Sequence, residues 1–223
     1  MLPIAVISAK KGDGISLLYP GGQYLVLTFS SGPHFENTKK ILNILKKYKA
    51  KASFFVDSFR AMNHPEVIRQ IIQDGHDIGI QSKAINPIVM HDHITSSSAY
   101  LKSVTSLSEI KYFRPPLEYP QPEIVSWKEI ISQSNNSASS TSTWKPILWT
   151  IQAHAKDLIK DGKDEWMKKI LAQVKPGVIL LCQDHHNEVV EVLPELLHHL
   201  IQEQYYELVS LTQILSFPDD SPH

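Results

Sequence analysis

Apolar runs of strand length alternate with amphipathic helical stretches along most of this chain, and this alternation limits the possible folds more than any other feature. Tyr24–Phe29 is an almost continuous apolar run, typical of a strand buried on both faces. His34–Tyr48 then carries apolar residues at helical spacing, with lysines on its other side. Since the succession repeats about seven or eight times, it predicts an α/β fold, a distorted (β/α)7-8 barrel with parallel strands.

The remaining elements follow from the same two patterns. The predicted strands are 52–56, 77–80, 112–113, 146–151, 177–182 and 206–209. The predicted helices are 65–74, 95–108, 121–131, 165–174 and 188–204, with a last helical turn at 211–215. Ser132–Thr143 has the low-complexity polar composition of a surface insertion. Because a parallel barrel carries its chemistry where its strands end, the residues after each strand are the candidates for function.

The composition excludes several classes of protein. Lys and Arg total 22 and Asp and Glu total 23, a balance that argues against a nucleic-acid partner. No apolar stretch approaches the ~20 residues of a transmembrane helix, so we predict no membrane span. The single cysteine, Cys182, rules out an internal disulfide. We predict one domain over 1–223, and its start, MLPIAVISAKKG, lacks the pattern of a signal peptide.

Short motifs stand in a fixed order at the predicted strands. They are TFSSGP at Thr28–Pro33, ASFF at Ala52–Phe55, GHDIG at Gly75–Gly79, RPP at Arg114–Pro116 and the strand around Trp149, followed by a closing YYELVSL. In kind, order and spacing this set resembles the NodB-type polysaccharide deacetylases, carbohydrate esterase family 4, roughly from Tyr24 to Val209. The resemblance implies the distorted barrel of that family.

The resemblance also implies a mechanism whose residues this chain replaces. Family members hydrolyse an N-acetyl group with a divalent metal held by two His and one Asp, a carboxylate base and a histidine acid. The base and the metal-binding Asp correspond to Ser30 and Ser31, and the His pair corresponds to Gln81 and Ile85. A serine hydroxyl is no carboxylate base near neutral pH, Ile85 has no lone pair, and an amide oxygen suits zinc poorly. We therefore expect the zinc site to be lost and no cofactor to bind.

The fourth and fifth motifs of the family are degenerate as well. An Asp-x-x-Asp-Trp pattern corresponds to Gln152, Ala155 and Lys156. A Leu-x-His pattern, whose His is the family's general acid, corresponds to Leu180 and Cys182. The base, the metal ligands and the acid are thus all replaced while the scaffold motifs remain.

One functional residue of the family is retained. Arg114 corresponds to the arginine that orients the base carboxylate, although Ser30 now stands in the place of that carboxylate. We expect Arg114 to be a structural cation, with Glu118 and Asp184 as alternative partners.

A metal site rebuilt from other residues is the main alternative. Cys182, His154 and His185 all follow predicted strands, and zinc uses such ligands. His91 and His93 follow the degenerate second motif. Adjacent loop histidines are usually exposed and independent, however, and a cysteine at a strand end is usually a small buried hydrophobe. We therefore rank the rebuilt site below the loss of the metal.

Three functions stay open at this point. The first is a catalytically inactive deacetylase homologue that binds chitin or another N-acetylated polysaccharide, or has a structural role in a cell wall. Tyr119 and Trp144 are its candidate glycan contacts, because they border predicted loops at the strand ends. The second is an active metal-dependent deacetylase, or another hydrolase, with a relocated site. The third is a structural or protein-interaction domain without glycan affinity. The resemblance implies the cell surface or the extracellular space.

Overall fold

The structure, a computed structural model, describes residues 5–8, 15–19, 21–84, 86–117 and 144–216. Its strands are β1 (Ala5–Ser8), β2 (Ile15–Tyr19), β3 (Tyr24–Gly32), β4 (Ala52–Val56), β5 (Asp77–Gln81), β6 (Tyr112–Arg114), β7 (Lys145–Pro146), β8 (Ile151–Gln152), β9 (Ile179–Gln183) and β10 (Glu207–Leu208). Its helices are α1 (Asn37–Lys47), α2 (Ser58–Asn63), α3 (Pro65–Gln73), α4 (Pro87–Val104), α5 (Ala155–Asp161), α6 (Lys163–Leu171), α7 (Asn187–His198) and α8 (Leu211–Leu215), with a π-helical segment at His199–Glu203.

The main sheet is a curled parallel sheet in the order β7–β6–β5–β4–β3–β9–β8, and β10 pairs with the first residues of β3. Its pairings among the described residues are parallel. Every residue of β4 is buried, as expected for a strand covered on both faces. The predicted α/β class with a barrel-like parallel sheet is confirmed.

The two edges of this sheet meet in one extended stretch, 145–152. Its first part, β7, pairs with β6, and its last part, β8, pairs with β9. The sequence predicted a single strand at 146–151, and the structure instead divides the stretch between two partners. Because the stretch pairs with a different strand at each of its ends, each ladder is only two residues long. Both ladders are parallel, so β6 and β9 have their carboxyl ends at the same end of the curled sheet.

An antiparallel hairpin of β1 and β2 precedes the barrel and was not predicted. Ile15 forms a parallel bridge with Ile147, so the hairpin is attached to the closing stretch. The amide of Leu148 donates to the Ile15 carbonyl at 2.8 Å. The hairpin therefore covers the stretch where the sheet closes.

Two helices depart from their predicted bounds for local reasons. The helix after β5 was predicted to start at 95, and α4 starts at Pro87 because the Asn86 side chain accepts the amides of Ile88 and Val89 as a helix cap. The helix predicted over 188–204 ends as α-helix at His198 and continues as a π-helical segment.

Helices cover the outside of the sheet with apolar stripes. Under α1, for example, Ile41, Leu42 and Leu45 are buried, and the lysines of its last turn face outward. Within the described ranges, no helix is both long and apolar enough to cross a membrane.

Candidate functional site

Parallel strands bring their carboxyl ends to one edge of the sheet, and a cavity of about 270 Å³ lies there. Residues that follow β3, β4, β5, β6 and β9 contribute to its wall. The described lining residues are Ser31, Arg60, Gln81, Ser82, Lys83, Pro116, Leu117, Gln183 and His185. This wall is polar, and the described residues that line it include no carboxylate.

Beneath the cavity, Ser30 contacts the retained arginine of the family. Ser30 is fully buried near the end of β3, and its Oγ accepts a hydrogen bond from Arg114 Nη1 at 2.8 Å. The same Nη1 donates to Thr28 Oγ1 at 2.9 Å. The sequence analysis expected Glu118 or Asp184 as alternative partners of Arg114, and the structure instead places the neutral hydroxyl of Ser30 against its guanidinium.

The rest of the Arg114 guanidinium is held by neutral groups. Nε and Nη2 donate to the carbonyls of Ile147 and Leu148, each at 3.1 Å, and the Phe55 ring lies 4.0 Å from the guanidinium carbon. Burial lowers the pKa of Arg114 well below its ordinary value. Among the described residues no carboxylate pairs with it.

Of the two alternative partners expected for Arg114, Asp184 is held elsewhere. Its Oδ2 accepts a hydrogen bond from Thr38 Oγ1 at 2.6 Å. Glu118 lies outside the described residues. The contacts of Arg114 are those of a structural cation.

Ser31 lies in the wall of the cavity with an uncommon backbone conformation. Its φ is +70°, in the left-handed region, and the ladder between β3 and β4 shifts register between Ser30 and Gly32. A regular strand would direct Ser31 to the face opposite that of Ser30 and of Gln183, its neighbour in register, and this irregularity lets Ser31 line the cavity. Ser30 is turned under the cavity toward Arg114, while Ser31 lines the cavity.

Gln81, at the end of β5, occupies the position of a metal-binding histidine and is anchored by its own amide. Its Nε2 donates to the carbonyls of Pro115 at 2.8 Å and Ser82 at 3.1 Å, with a longer contact to that of Arg114 at 3.4 Å. Its Oε1 is buried, and no described residue forms a hydrogen bond with it. The hydrogen bonds from Nε2 thus fix the side chain, while its oxygen, Oε1, stays an unused acceptor on a residue that lines the cavity.

Cys182 does not lie where the sequence placed the general acid. Its side chain is fully buried in the apolar core, and burial raises the pKa of its thiol to about 12. The next residue, Gln183, lines the cavity and pairs in register with Ser30. Because neighbouring strand residues face opposite sides, counting the Leu-x-His pattern from Leu181 instead of Leu180 would have found Gln183.

Behind the lining, Asp184 packs against the turn after β3. A Cβ atom added at Gly32 would overlap its carboxylate. Burial raises the pKa of Asp184 to about 6, against the hydrogen bond from Thr38 and the charge of Arg60. Backbone amides of Asp184 and His34 also act against this rise, although no described group lies in full hydrogen-bonding geometry with Oδ1.

His185 lines the cavity beside these groups. Burial, followed by the neighbouring charges of His186, Arg60 and His34, lowers its pKa to about 4. His185 is therefore neutral near pH 7, and its buried Nδ1 has no partner within the described ranges.

Asp57, the N-cap of α2, contacts two residues of the opposite wall, Arg60 and Lys83. One carboxylate oxygen accepts the amide of Arg60 at 3.1 Å, and the other pairs with Lys83 Nζ. His93 Nε2 lies 3.2 Å from the Ser58 hydroxyl, and burial lowers the pKa of His93. Both oxygens of Asp57 are thus occupied by protein groups.

These positions do not bring the proposed alternative ligands together. Within the described parts of the chain, no three His, Cys, Asp or Glu side chains form a group that could hold a metal ion. His185 lines the cavity and Cys182 lies in the core, while the backbone carbonyl of His154 accepts a hydrogen bond from the Trp166 indole at 3.0 Å.

The two candidate glycan contacts have different outcomes. Trp144 was expected to be exposed and instead is only 8% exposed, packed in the apolar core with its ring 5.8 Å from that of His91. Tyr119 and Ile85 lie outside the described residues. Gln152, half-buried in β8, is not among the lining residues named above.

Comparison with known proteins agrees with this geometry. The family model for polysaccharide deacetylase matches residues 19–124, which include the Ser30, Gln81 and Arg114 positions. This match, together with the relatives below, supports a NodB-like domain of carbohydrate esterase family 4 over this part of the chain. A peptidoglycan-N-acetylglucosamine deacetylase of Bacillus cereus is 24% identical over 204 residues, covering 86% of this chain and 88% of that protein. A chitooligosaccharide deacetylase of Bradyrhizobium is 23% identical over 189 residues, covering 82% and 78%.

A solved structure of similar fold is that of a family 4 pseudoenzyme from Bacillus anthracis. It matches with a TM-score of 0.74 at 20% identity, covering 91% of this chain and 69% of that one. A mutant of the same protein with restored enzymatic activity matches with a TM-score of 0.74 at 20% identity, covering 91% and 71%. At this identity the likeness establishes the fold that both share.

The residues at the family's metal position do not fit a zinc ion. Ser31 offers a neutral hydroxyl, and the amide of Gln81 uses its nitrogen on backbone carbonyls, which leaves one neutral oxygen. Zinc in proteins is held by thiolate, imidazole and carboxylate groups, so this donor set is weak in charge and in kind.

Proposed function

We propose that this protein is a non-catalytic NodB-type domain that binds N-acetylated glycans of a cell wall or extracellular matrix. The relatives named above act, by their names, on peptidoglycan and on chitooligosaccharides. We expect this protein to bind the same class of glycan as these relatives but not to hydrolyse it.

The observation that carries the proposal is the contact between Ser30 and Arg114. Arg114 still donates a hydrogen bond, at 2.8 Å, to the residue that corresponds to the base. That residue is Ser30, and a serine hydroxyl cannot take a proton from water near neutral pH. Gln81 and Gln183 line the cavity with neutral amides, which cannot supply the charged metal ligand or the acid that the mechanism needs. A polar cavity without a base, metal or acid retains the means to bind and loses the means to hydrolyse.

Acetate release is the first test. The purified chain is incubated with chitin oligosaccharides and with peptidoglycan, each with added zinc or cobalt, and the Bacillus cereus relative serves as the positive control. We expect no acetate above the background without protein. Turnover that depends on the metal would overturn the proposal and favour a relocated active site.

Two further measurements separate the remaining possibilities. Elemental analysis after exposure to zinc should find essentially no metal per chain, whereas one zinc per chain would indicate a site built from other residues. A binding titration with the same glycans should detect saturable binding. A chain that neither hydrolyses nor binds them would be a structural or protein-interaction domain.

A further inference from the structure

We infer that the cavity of Ser31, Gln81 and Gln183 selects glycans that carry a carboxylate, with Arg60 as the group that recognises the acid. This inference rests on the proposed function, since it concerns the same cavity. It names the class of sugar that the cavity prefers: an acidic N-acetylated sugar over a neutral one.

The first argument is the charge of the wall. Arg60 and Lys83 line the cavity, and the described lining residues include no Asp or Glu. Lys83 is already paired with Asp57, whereas the Arg60 guanidinium has no hydrogen-bond or ion-pair partner among the described residues. A planar guanidinium without a partner is suited to a carboxylate, which it can hold through two parallel hydrogen bonds.

Two carboxylates close to Arg60, those of Asp57 and Asp184, already have other partners. Asp57 has one oxygen on the Arg60 backbone amide and the other on Lys83. Asp184 is buried against Gly32 and accepts the hydroxyl of Thr38. A ligand carboxylate is therefore the group that would complete the Arg60 side chain.

The second argument is the unpartnered acceptor on Gln81. This residue is 2% exposed, and its Oε1 has no hydrogen-bond partner among the described residues although the side chain lines the cavity. The orientation of the amide is settled by Nε2, which faces backbone carbonyls that would repel an oxygen. An unpaired buried acceptor is costly, so a ligand that donates an N–H or O–H group here gains affinity.

Together, Arg60 and Gln81 fit a small polar ligand that carries both a carboxylate and a hydrogen-bond donor. The hydroxyls of Ser31 and Ser82 and the amide of Gln183 add neutral hydrogen-bonding groups between the two. A sugar ring with an acetamido or hydroxyl donor and a carboxylate substituent has this chemistry, and a neutral N-acetylglucosamine unit lacks the acid.

The test compares three probes by calorimetric titration near neutral pH. The probes are the disaccharide of N-acetylglucosamine and N-acetylmuramic acid, the methyl ester of the same disaccharide, and N,N′-diacetylchitobiose. We expect the acid to bind about fivefold to tenfold more tightly than its ester, as one charge-assisted contact would give. Added salt should reduce this preference.

Substitutions assign the preference to the cavity. Arg60→Gln should bring the acid to the affinity of the ester, while Arg69→Gln, which removes an exposed arginine on α3, should leave the preference unchanged. Lys83→Gln should have a smaller effect than Arg60→Gln because Lys83 is already paired.

The outcomes separate this inference from the function on which it rests. Equal affinity for all three probes, or a preference that survives Arg60→Gln, would overturn the inference and leave glycan binding standing. Binding of none of the probes would overturn both.

Discussion

The two edges of the barrel differ in how completely their buried polar groups are hydrogen-bonded. At the amino edge, Ser53 Oγ donates to Asp77 Oδ2 at 3.2 Å and accepts the Leu211 amide at 3.0 Å. Asp77 Oδ2 also accepts the Thr212 amide at 2.7 Å, and His76 Nδ1 accepts that of Ala52 at 3.2 Å. At the carboxyl edge, the buried atoms Gln81 Oε1, Asp184 Oδ1 and His185 Nδ1 have no hydrogen-bond partner in the part of the chain that the structure describes.

The difference separates residues that hold the fold from residues that face a ligand. The GHDIG motif lies at the amino edge, where His76 and Asp77 tie β5 to its neighbours and to α8. Buried polar groups in proteins are usually paired, so a set of unpaired groups around one cavity calls for an explanation. We interpret it as the remains of a site whose former partners have been replaced.

Arg114 is a buried group at the carboxyl edge whose described hydrogen bonds engage all three guanidinium nitrogens, and its replacement should have the largest effect. Arg114→Lys keeps a cation but can no longer serve the four acceptors on Thr28, Ser30, Ile147 and Leu148. We expect a loss of about 2–4 kcal/mol in the free energy of unfolding, measured with urea, because buried carbonyls lose their donor. A variant as stable as the parent would mean that these bonds contribute nothing net and that Arg114 is retained for another reason.

At the amino edge, His76 should make stability depend on pH. Burial, followed by the charge of Lys51, lowers its pKa from 6.5 to about 4 in the folded state. The unfolded chain therefore binds the proton more readily, so the contribution is complete above pH 6.5 and is lost as the pH falls toward 4. The loss should reach about 3 kcal/mol.

The measurement is the difference between the parent and His76→Gln in unfolding free energy across this pH range. The subtraction removes His185, which acts in the same direction, and Asp184, whose raised pKa acts in the opposite one. His198→Gln, on an exposed histidine at the end of α7, is the control and should follow the parent. A parallel course for the parent and His76→Gln would show that His76 is not the titrating group.

The close approach of Gly32 and Asp184 should give the next largest effect on stability. The added methyl group of Gly32→Ala would overlap the carboxylate, and overpacking of this kind costs about 1–3 kcal/mol. Asp184→Ala removes the obstacle, so in a double-mutant cycle the cost of Gly32→Ala should fall to nearly zero in that background. Additive effects would place the strain in the backbone of the turn instead.

The sequence predicted the amino edge and the sheet better than the carboxyl edge, for a physical reason. Strand and helix periodicity reports burial, and the strand at 52–56 and the helix end at Gly75 were found with it, Gly75 having the φ of +76° that favours glycine. The contact of Ser30 with Arg114 was not predicted, because the resemblance gave Arg114 only a carboxylate as its usual partner.

The errors lie where tertiary placement decides. The residue that the resemblance assigned to the acid, Cys182, packs in the core, whereas its neighbour Gln183 lines the cavity. Trp144 borders a predicted loop and nevertheless packs in the core, because a chain position does not report exposure. The unpaired atoms of Gln81 and Asp184 depend on neighbours from other strands, which no local pattern contains.

A matched pair of serines gives the finest test of the contrast between paired and unpaired groups. Ser53, at the amino edge, and Ser97, on α4, are 1% and 2% exposed, but the hydroxyl of Ser53 has two partners and that of Ser97 has none among the described residues. The same change, Ser→Ala, should therefore cost about 1–3 kcal/mol at Ser53 and be neutral or slightly stabilising at Ser97. Chemical denaturation of the two variants measures both values. Equal costs would mean that hydrogen-bond pairing does not distinguish these sites, and the unpaired atoms around the cavity would then lose their weight as a sign of a missing ligand.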